Sequence, residues 1–140
     1  MEARIQFKHE ADRPQFDELA TRNPTLWSAV WALTARAARV YGDSTVVTSV
    51  YRPLDTDSVH GHWRGVDLRI YHPDRWPEDP GATVLRECEK GWMPSTALEL
   101  KQWLETWLKY DEEESHELVL IHGEGLEKHF HLGLGSWSAL

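Results

Sequence analysis

The chain has 140 residues, 41% of them hydrophobic and 27% charged, proportions of an ordinary globular protein long enough to bury a core. Its formal net charge of −8 argues against a general nucleic-acid binder, which needs a basic face to neutralise phosphates. The same charge offers an anionic membrane surface no polybasic attraction, and the single cysteine, Cys88, excludes an internal disulfide.

One domain spanning residues 1–140 is expected, because no repeat, low-complexity tract or linker composition interrupts the sequence. The N-terminal MEARIQFKHEADRPQ lacks the apolar stretch of a secretory signal, so the expectation is a protein that is cytoplasmic when made. No apolar run approaches the ~20 residues of a membrane span. Eight tryptophans are a high count, suited to core and rim packing and to a platform for a ligand.

In chain order, residues 3–8 (ARIQFK) alternate weakly and predict a strand. NPTLWSAVWALTARAARVYG predicts a helix, with Asn23 as N-cap, Pro24 at the first helical position and Gly42 past the end. Its Leu26, Val30, Leu33, Ala37 and Val40 form an apolar stripe at helical spacing. STVVTSVYR (44–52) is rich in β-branched residues and predicts a strand, and GVDLRIY (65–71) alternates strictly and predicts another. Residues 72–94, punctuated by Pro73, Pro77, Pro80 and Pro94, read mostly as loop, with room for one short helical turn.

STALELKQWLETWLKY predicts a second helix, with Thr96 and Glu99 spaced as a capping box and Leu100, Leu104, Trp107 and Leu108 as its buried stripe. After the acidic turn DEEES, HELVLIHG has the length and apolarity of a strand. KHFHLGL (128–134) then alternates as the last strand, closing a C-terminal hairpin. The expected class is α+β, with a small antiparallel or mixed sheet, helices packed on one face and chemistry on the other.

Strand parity carries the functional argument. Successive side chains of a strand point to opposite faces of the sheet. Val66, Leu68 and Ile70 share one face, which leaves Asp67 on the other. Phe130, Leu132 and Leu134 share one face, which leaves His129 and His131 on the other. With both apolar faces turned to the helices, Asp67, His129 and His131 fall on one common, non-core face. His60, in the loop feeding the Asp67 strand, is close enough in sequence for its imidazole to fold back beside the carboxylate. Two histidines and a carboxylate, with water in a fourth position, make the donor set of a catalytic zinc site. Zinc there would acidify a water to a pKa near 7 and polarise a scissile carbonyl.

These residues, TSVYRP…DSVHGHWRGVDLR…EKHFHLGL, resemble the zinc peptidases that group D-Ala-D-Ala carboxypeptidases, murein endopeptidases and the hedgehog signalling domain. Ser58, His60 and Asp67 match the Ser-x-His-(six residues)-Asp motif of the carboxypeptidase and phage-endolysin branch, and Ser49, Val50, Tyr51 and Arg52 match its Ser-x-Tyr-Arg strand end. The resemblance implies one zinc ion held by His60, Asp67 and His131, with His129 assisting catalysis as the first histidine of a His-x-His pair. It covers about residues 44–70 and 117–134.

The filler departs from the family, which commonly has Gly three residues after the first histidine and Ala two further on. This chain has Trp63 and Gly65 at those positions. Where many members carry an acidic base, three residues before the last histidine, this chain has Lys128. His129 is therefore the first choice for the base, with Glu127 and Glu124 as fallbacks. His62 supports the ligands from outside the metal's own donor set or faces solvent, or replaces His60 as ligand if the loop is short. His116 and His122 read as structural, and Trp63 as a cleft wall or a cover for the loop.

Arg52, at the end of a neighbouring strand, suits a substrate carboxylate or the oxyanion of a tetrahedral intermediate, with a surface ion pair to Asp55 or Asp57 as its alternative use. The implied function is hydrolysis of peptide bonds in peptidoglycan by a metal-activated water. The expected enzyme is a monomeric, endolysin-like carboxypeptidase or endopeptidase, with no nucleic-acid or membrane partner, acting on the wall after release or as part of a virion. Two other readings carry different expectations. A zinc-binding interaction module of the same fold would bind without turnover. A His-hydrophobic-His nuclease would need a tyrosine on a following helix, and no tyrosine follows Tyr110.

Overall fold

A computed structural model describes residues 2–50, 63, 65–71, 91–106, 119–122 and 129–133, the side chains of Leu120 and His122 excepted. It is α+β, with a mixed sheet of five strands. The strands are β1 (Ile5–Phe7), β2 (Thr45–Ser49), β3 (Gly65–Arg69), β4 (Val119–His122) and β5 (His129–Gly133). The helices are α1 (Asp12–Arg22), α2 (Pro24–Arg36) and α3 (Pro94–Glu105). Among the described residues no helix is long and apolar enough to cross a membrane.

Strand order is β1-β2-β3-β5-β4, so β3 is the central strand and β1 and β4 form the edges. β1 runs parallel to β2, and the other pairings are antiparallel, including the predicted C-terminal hairpin of β4 and β5. The apolar face of the sheet (Val47, Val66, Leu68, Phe130, Leu132) packs with Phe16 and Leu19 of α1, Leu26, Val30 and Leu33 of α2, and Ala97, Leu100 and Leu104 of α3. Trp92 completes the core. Its ring meets Phe130 edge-on at 4.9 Å, and its Nε1 donates to Thr45 Oγ1 over 2.9 Å, which satisfies the indole N–H inside an apolar site.

Three details differ from the expectations. A helix that the periodicity does not announce, α1, precedes α2. It buries only Phe16 and Leu19, too few for a readable stripe, and its Pro14 sits in the first turn, where no intrahelical N–H bond is lost. Second, α2 has Asn23, Pro24 and Gly42 in their predicted roles, but its last turn, Ala37–Tyr41, is a π-helix. The wider turn takes Val40 off the stripe, and it lies 51% exposed while Ala37 is buried.

Third, Thr96 and Glu99 do not form a capping box. The helix starts two residues before Thr96, at Pro94, whose preset φ suits a first turn. Thr96 is buried, and Glu99 instead accepts from Arg36 Nη2 at 2.6 Å and Nε at 3.3 Å, with the guanidinium stacked over Trp103. Trp107, Leu108 and Leu134 lie outside the described residues.

The Arg36 bonds hold the Glu99 carboxyl below the usual carboxylate range. A carboxyl depressed by folding stabilises above its unfolded pKa and loses that contribution as pH falls through the folded value. Glu99→Gln should therefore lower Tm by a few degrees at neutral pH, and the difference should shrink below about pH 4. Melting both proteins across this range checks it. A gap that persists undiminished in acid would assign the effect to packing rather than to charge.

Candidate functional site

On the outer face of β3 stand Gly65, Asp67 and Arg69, opposite the buried Val66 and Leu68. The antiparallel register sets Asp67 directly against His131 and Arg69 directly against His129. Directly opposed residues share a face with Cβ atoms about 5 Å apart, so this pairing alone brings the carboxylate and the imidazole together. His131 Nδ1 lies 2.7 Å from Asp67 Oδ1, and His129 Nε2 lies 3.9 Å from the same oxygen. Asp67, His129 and His131 thus occupy the common face that strand parity predicts.

Asp67 is only 5% exposed. A carboxylate so removed from water must be compensated by a hydrogen bond, a cation or a metal. An ionised carboxylate can only accept, so the tautomer that satisfies this contact carries its proton on His131 Nδ1. A metal held by Asp67 and by Nδ1 of His131 would displace this hydrogen bond and move the imidazole proton to Nε2, whereas a metal held through Nε2 would leave the bond in place.

Nitrogen and oxygen ligands at 2.0–2.2 Å from a tetrahedral zinc stand about 3.4 Å apart, so the pair must open slightly to share an ion. The donor types fit zinc, with neutral imidazole and carboxylate on adjacent central strands. Among the described residues no group of three His, Cys, Asp or Glu side chains gathers as a metal site by itself. His60, the third expected ligand, lies outside the described residues, as do His62, Ser58, Tyr51, Arg52, Glu124, Glu127 and Lys128.

β2 contributes through an irregularity. Val47 pairs with Leu68 but Ser49 pairs with Asp67, so one extra residue, Thr48, is accommodated between them. In an unbroken strand Ser49 would share the core-facing parity of Val47. The bulge inverts the parity, setting Ser49 beside Asp67 and burying Val50 in the core. Simple alternation across TVVTSV cannot reveal this.

The entry to β3 is fixed from the helical side. Asn23 serves twice: its Oδ1 accepts from Leu26 N at the start of α2, and its Nδ2 donates to the Trp63 carbonyl over 3.1 Å. The Trp63 ring packs against the core, with Arg22 over its face at 5.5 Å. Trp63 has φ of 59°, the left-handed conformation that costs an L-residue roughly 1–2 kcal/mol and that Gly adopts freely. This is the position at which the resembling peptidases commonly carry Gly. Here the strain is offset by the Asn23 bond and the packing of the indole. Sequence reasoning assigns Asn23 its cap but has no signal for the second bond, 40 residues away.

Compared with known proteins, the chain matches no family model, no curated protein and no solved structure.

Proposed function

We propose that the protein is a zinc-dependent peptidase that hydrolyses peptide bonds in peptidoglycan, on a fold of the D-Ala-D-Ala-peptidase and hedgehog kind with its metal centre opposite the helices. The observation that carries the proposal is the buried Asp67 carboxylate joined to His131 Nδ1, with His129 Nε2 at the same oxygen. His60, Asp67 and His131 would hold the ion. When bound, zinc would supply Lewis acidity, making hydroxide accessible near neutral pH and polarising the scissile carbonyl.

The chain's own groups do the rest. His129 Nε2 takes the proton of the attacking water and returns it to the leaving amine, the two halves of general acid–base work. Asp67, fixed by the sheet, orients the His131 imidazole through the 2.7 Å contact, with His129 Nε2 3.9 Å from the same oxygen. Arg52 holds a substrate carboxylate or the developing oxyanion, with Glu127 and Glu124 as alternative bases. The protein would reach its substrate after release from the cell that makes it, or as part of a virion.

Loss of turbidity in suspensions of purified cell walls, with and without a chelator, tests the proposal. Cleavage should be chelator-sensitive and restored by zinc. His129→Ala should retain zinc while losing roughly 10²–10⁴-fold in turnover. Zinc retained by a wild-type protein that cleaves no wall type would leave a binding module in place of an enzyme.

A further inference from the structure

Val47 and Val50 of the β2 segment both belong to the helix-side core, 0% and 1% exposed. They are three residues apart, a separation that strict alternation would put on opposite faces of the sheet. The bulge at Thr48 reconciles the two, so the packing of both valines pins the irregularity in place. Between the bulge and Val50 stands Ser49. It is thereby held on the outer face, half-buried and directly opposite Asp67. Bulges beside active sites re-aim a side chain in this way.

Ser49, Asp67 and His131 form one row across neighbouring strands β2, β3 and β5. Adjacent strands run about 4.8 Å apart, so Asp67 lies between a hydroxyl residue on one flank and an imidazole on the other. Its Oδ1 serves the β5 flank, at 2.7 Å from His131 Nδ1 and 3.9 Å from His129 Nε2. An ion bound on that flank takes one oxygen of the carboxylate. The other belongs to a residue only 5% exposed and calls for a donor from the protein, because ligating carboxylates are themselves hydrogen-bonded. Directly opposed residues have Cβ atoms about 5 Å apart, which puts the Ser49 hydroxyl within reach of that oxygen. Both residues also have other interactions, and a hydroxyl rotates to the acceptor that suits it.

We propose that Ser49 is the positioning residue of the metal-binding carboxylate: with an ion on Asp67, the Ser49 hydroxyl donates to the carboxylate oxygen that the ion leaves. Resting on the zinc reading of Asp67 and His131, this role requires nothing of the cleaved bond or of the wall. Held from both flanks, the carboxylate keeps one oxygen aimed at the β5 side, where the imidazoles stand. Charge assistance strengthens the bond from the hydroxyl, and its loss leaves the carboxylate free to turn away from the ion.

Two measurements on the full chain test the role. Competition with a chromophoric chelator reads zinc affinity, and the visible spectrum of the cobalt-loaded protein reads the geometry around the ion. Ser49→Ala should weaken zinc by about tenfold and change the cobalt spectrum at saturating metal. Its Tm without metal should move by no more than about 2 °C. Ser49→Thr keeps the hydroxyl at this half-buried position and should hold zinc within about threefold of the wild type. Zinc bound as tightly by Ser49→Ala as by the wild type, an unchanged cobalt spectrum, or equal weakening in the Ala and Thr variants would overturn the role of Ser49 and leave the zinc centre standing. A wild-type protein that takes up no zinc would overturn the centre itself, and the role of Ser49 with it.

Discussion

Asp67→Asn is expected to reduce zinc affinity by more than about 100-fold while leaving the fold almost unchanged. Even partners that only support a metal ligand are worth 10–100-fold in affinity, so a directly bonded group should exceed that range. The amide has the shape of the carboxylate and keeps an oxygen that accepts from His131 Nδ1, so the 2.7 Å contact can persist. It also removes the desolvation cost of a charge that is only 5% exposed, which holds the change in Tm to a few degrees of either sign. Metal content after dialysis, with competition against a chromophoric chelator, gives the affinity, and His131→Ala should lose the ion in parallel. If the Asp67–His131 pair is instead a structural ion pair, the pattern inverts. The variant would then show a shifted pH profile of stability and an unchanged metal content.

The common placement of Asp67, His129 and His131 was legible because both strands alternate strictly and each has only one face apolar enough to be the core. Parity is a local property, and the β3–β5 pairing that converts it into a contact needs only that the two strands be neighbours. What lay beyond the sequence depends on long-range register. The bulge at Thr48 changes the face of Ser49 only because β2 pairs with β3, and TVVTSV reads as an unbroken β-branched run. The Glu99 error has the same origin. Thr96 and Glu99 have a capping-box spacing, but Pro94 starts the helix earlier and Arg36, 63 residues away, takes the carboxylate. Helix α1 escaped for a different reason, since two buried residues in eleven do not make a periodic signal.

At Trp63 the backbone conformation predicts an order of stabilities opposite to the usual one. Trp63→Gly and Trp63→Ala both delete the indole and its contact with Arg22, so they differ only at the Cβ. At an ordinary position Ala would be favoured by roughly 0.5–1 kcal/mol, because Gly loses more conformational freedom on folding. With φ at 59°, the Gly variant should instead be the more stable by about 1 kcal/mol. Denaturant melts of the two proteins decide it, and Ala at or above Gly would show that the chain does not hold a left-handed residue there.

Asn23→Ala should be costlier than loss of a surface cap. The cap bond to Leu26 is worth about 1 kcal/mol, and the buried bond that restrains the Trp63 carbonyl adds roughly 1–3 kcal/mol. The sum lowers Tm by about 10 °C for a domain of this size. Trp63 lies three residues from His60 and four from Asp67. The Asn23 bond therefore acts on the backbone two residues before the start of β3. Zinc affinity of the folded Asn23→Ala protein should fall by about tenfold at temperatures well below its melt. A lower Tm with unchanged affinity would confine Asn23 to the corner between α1 and α2.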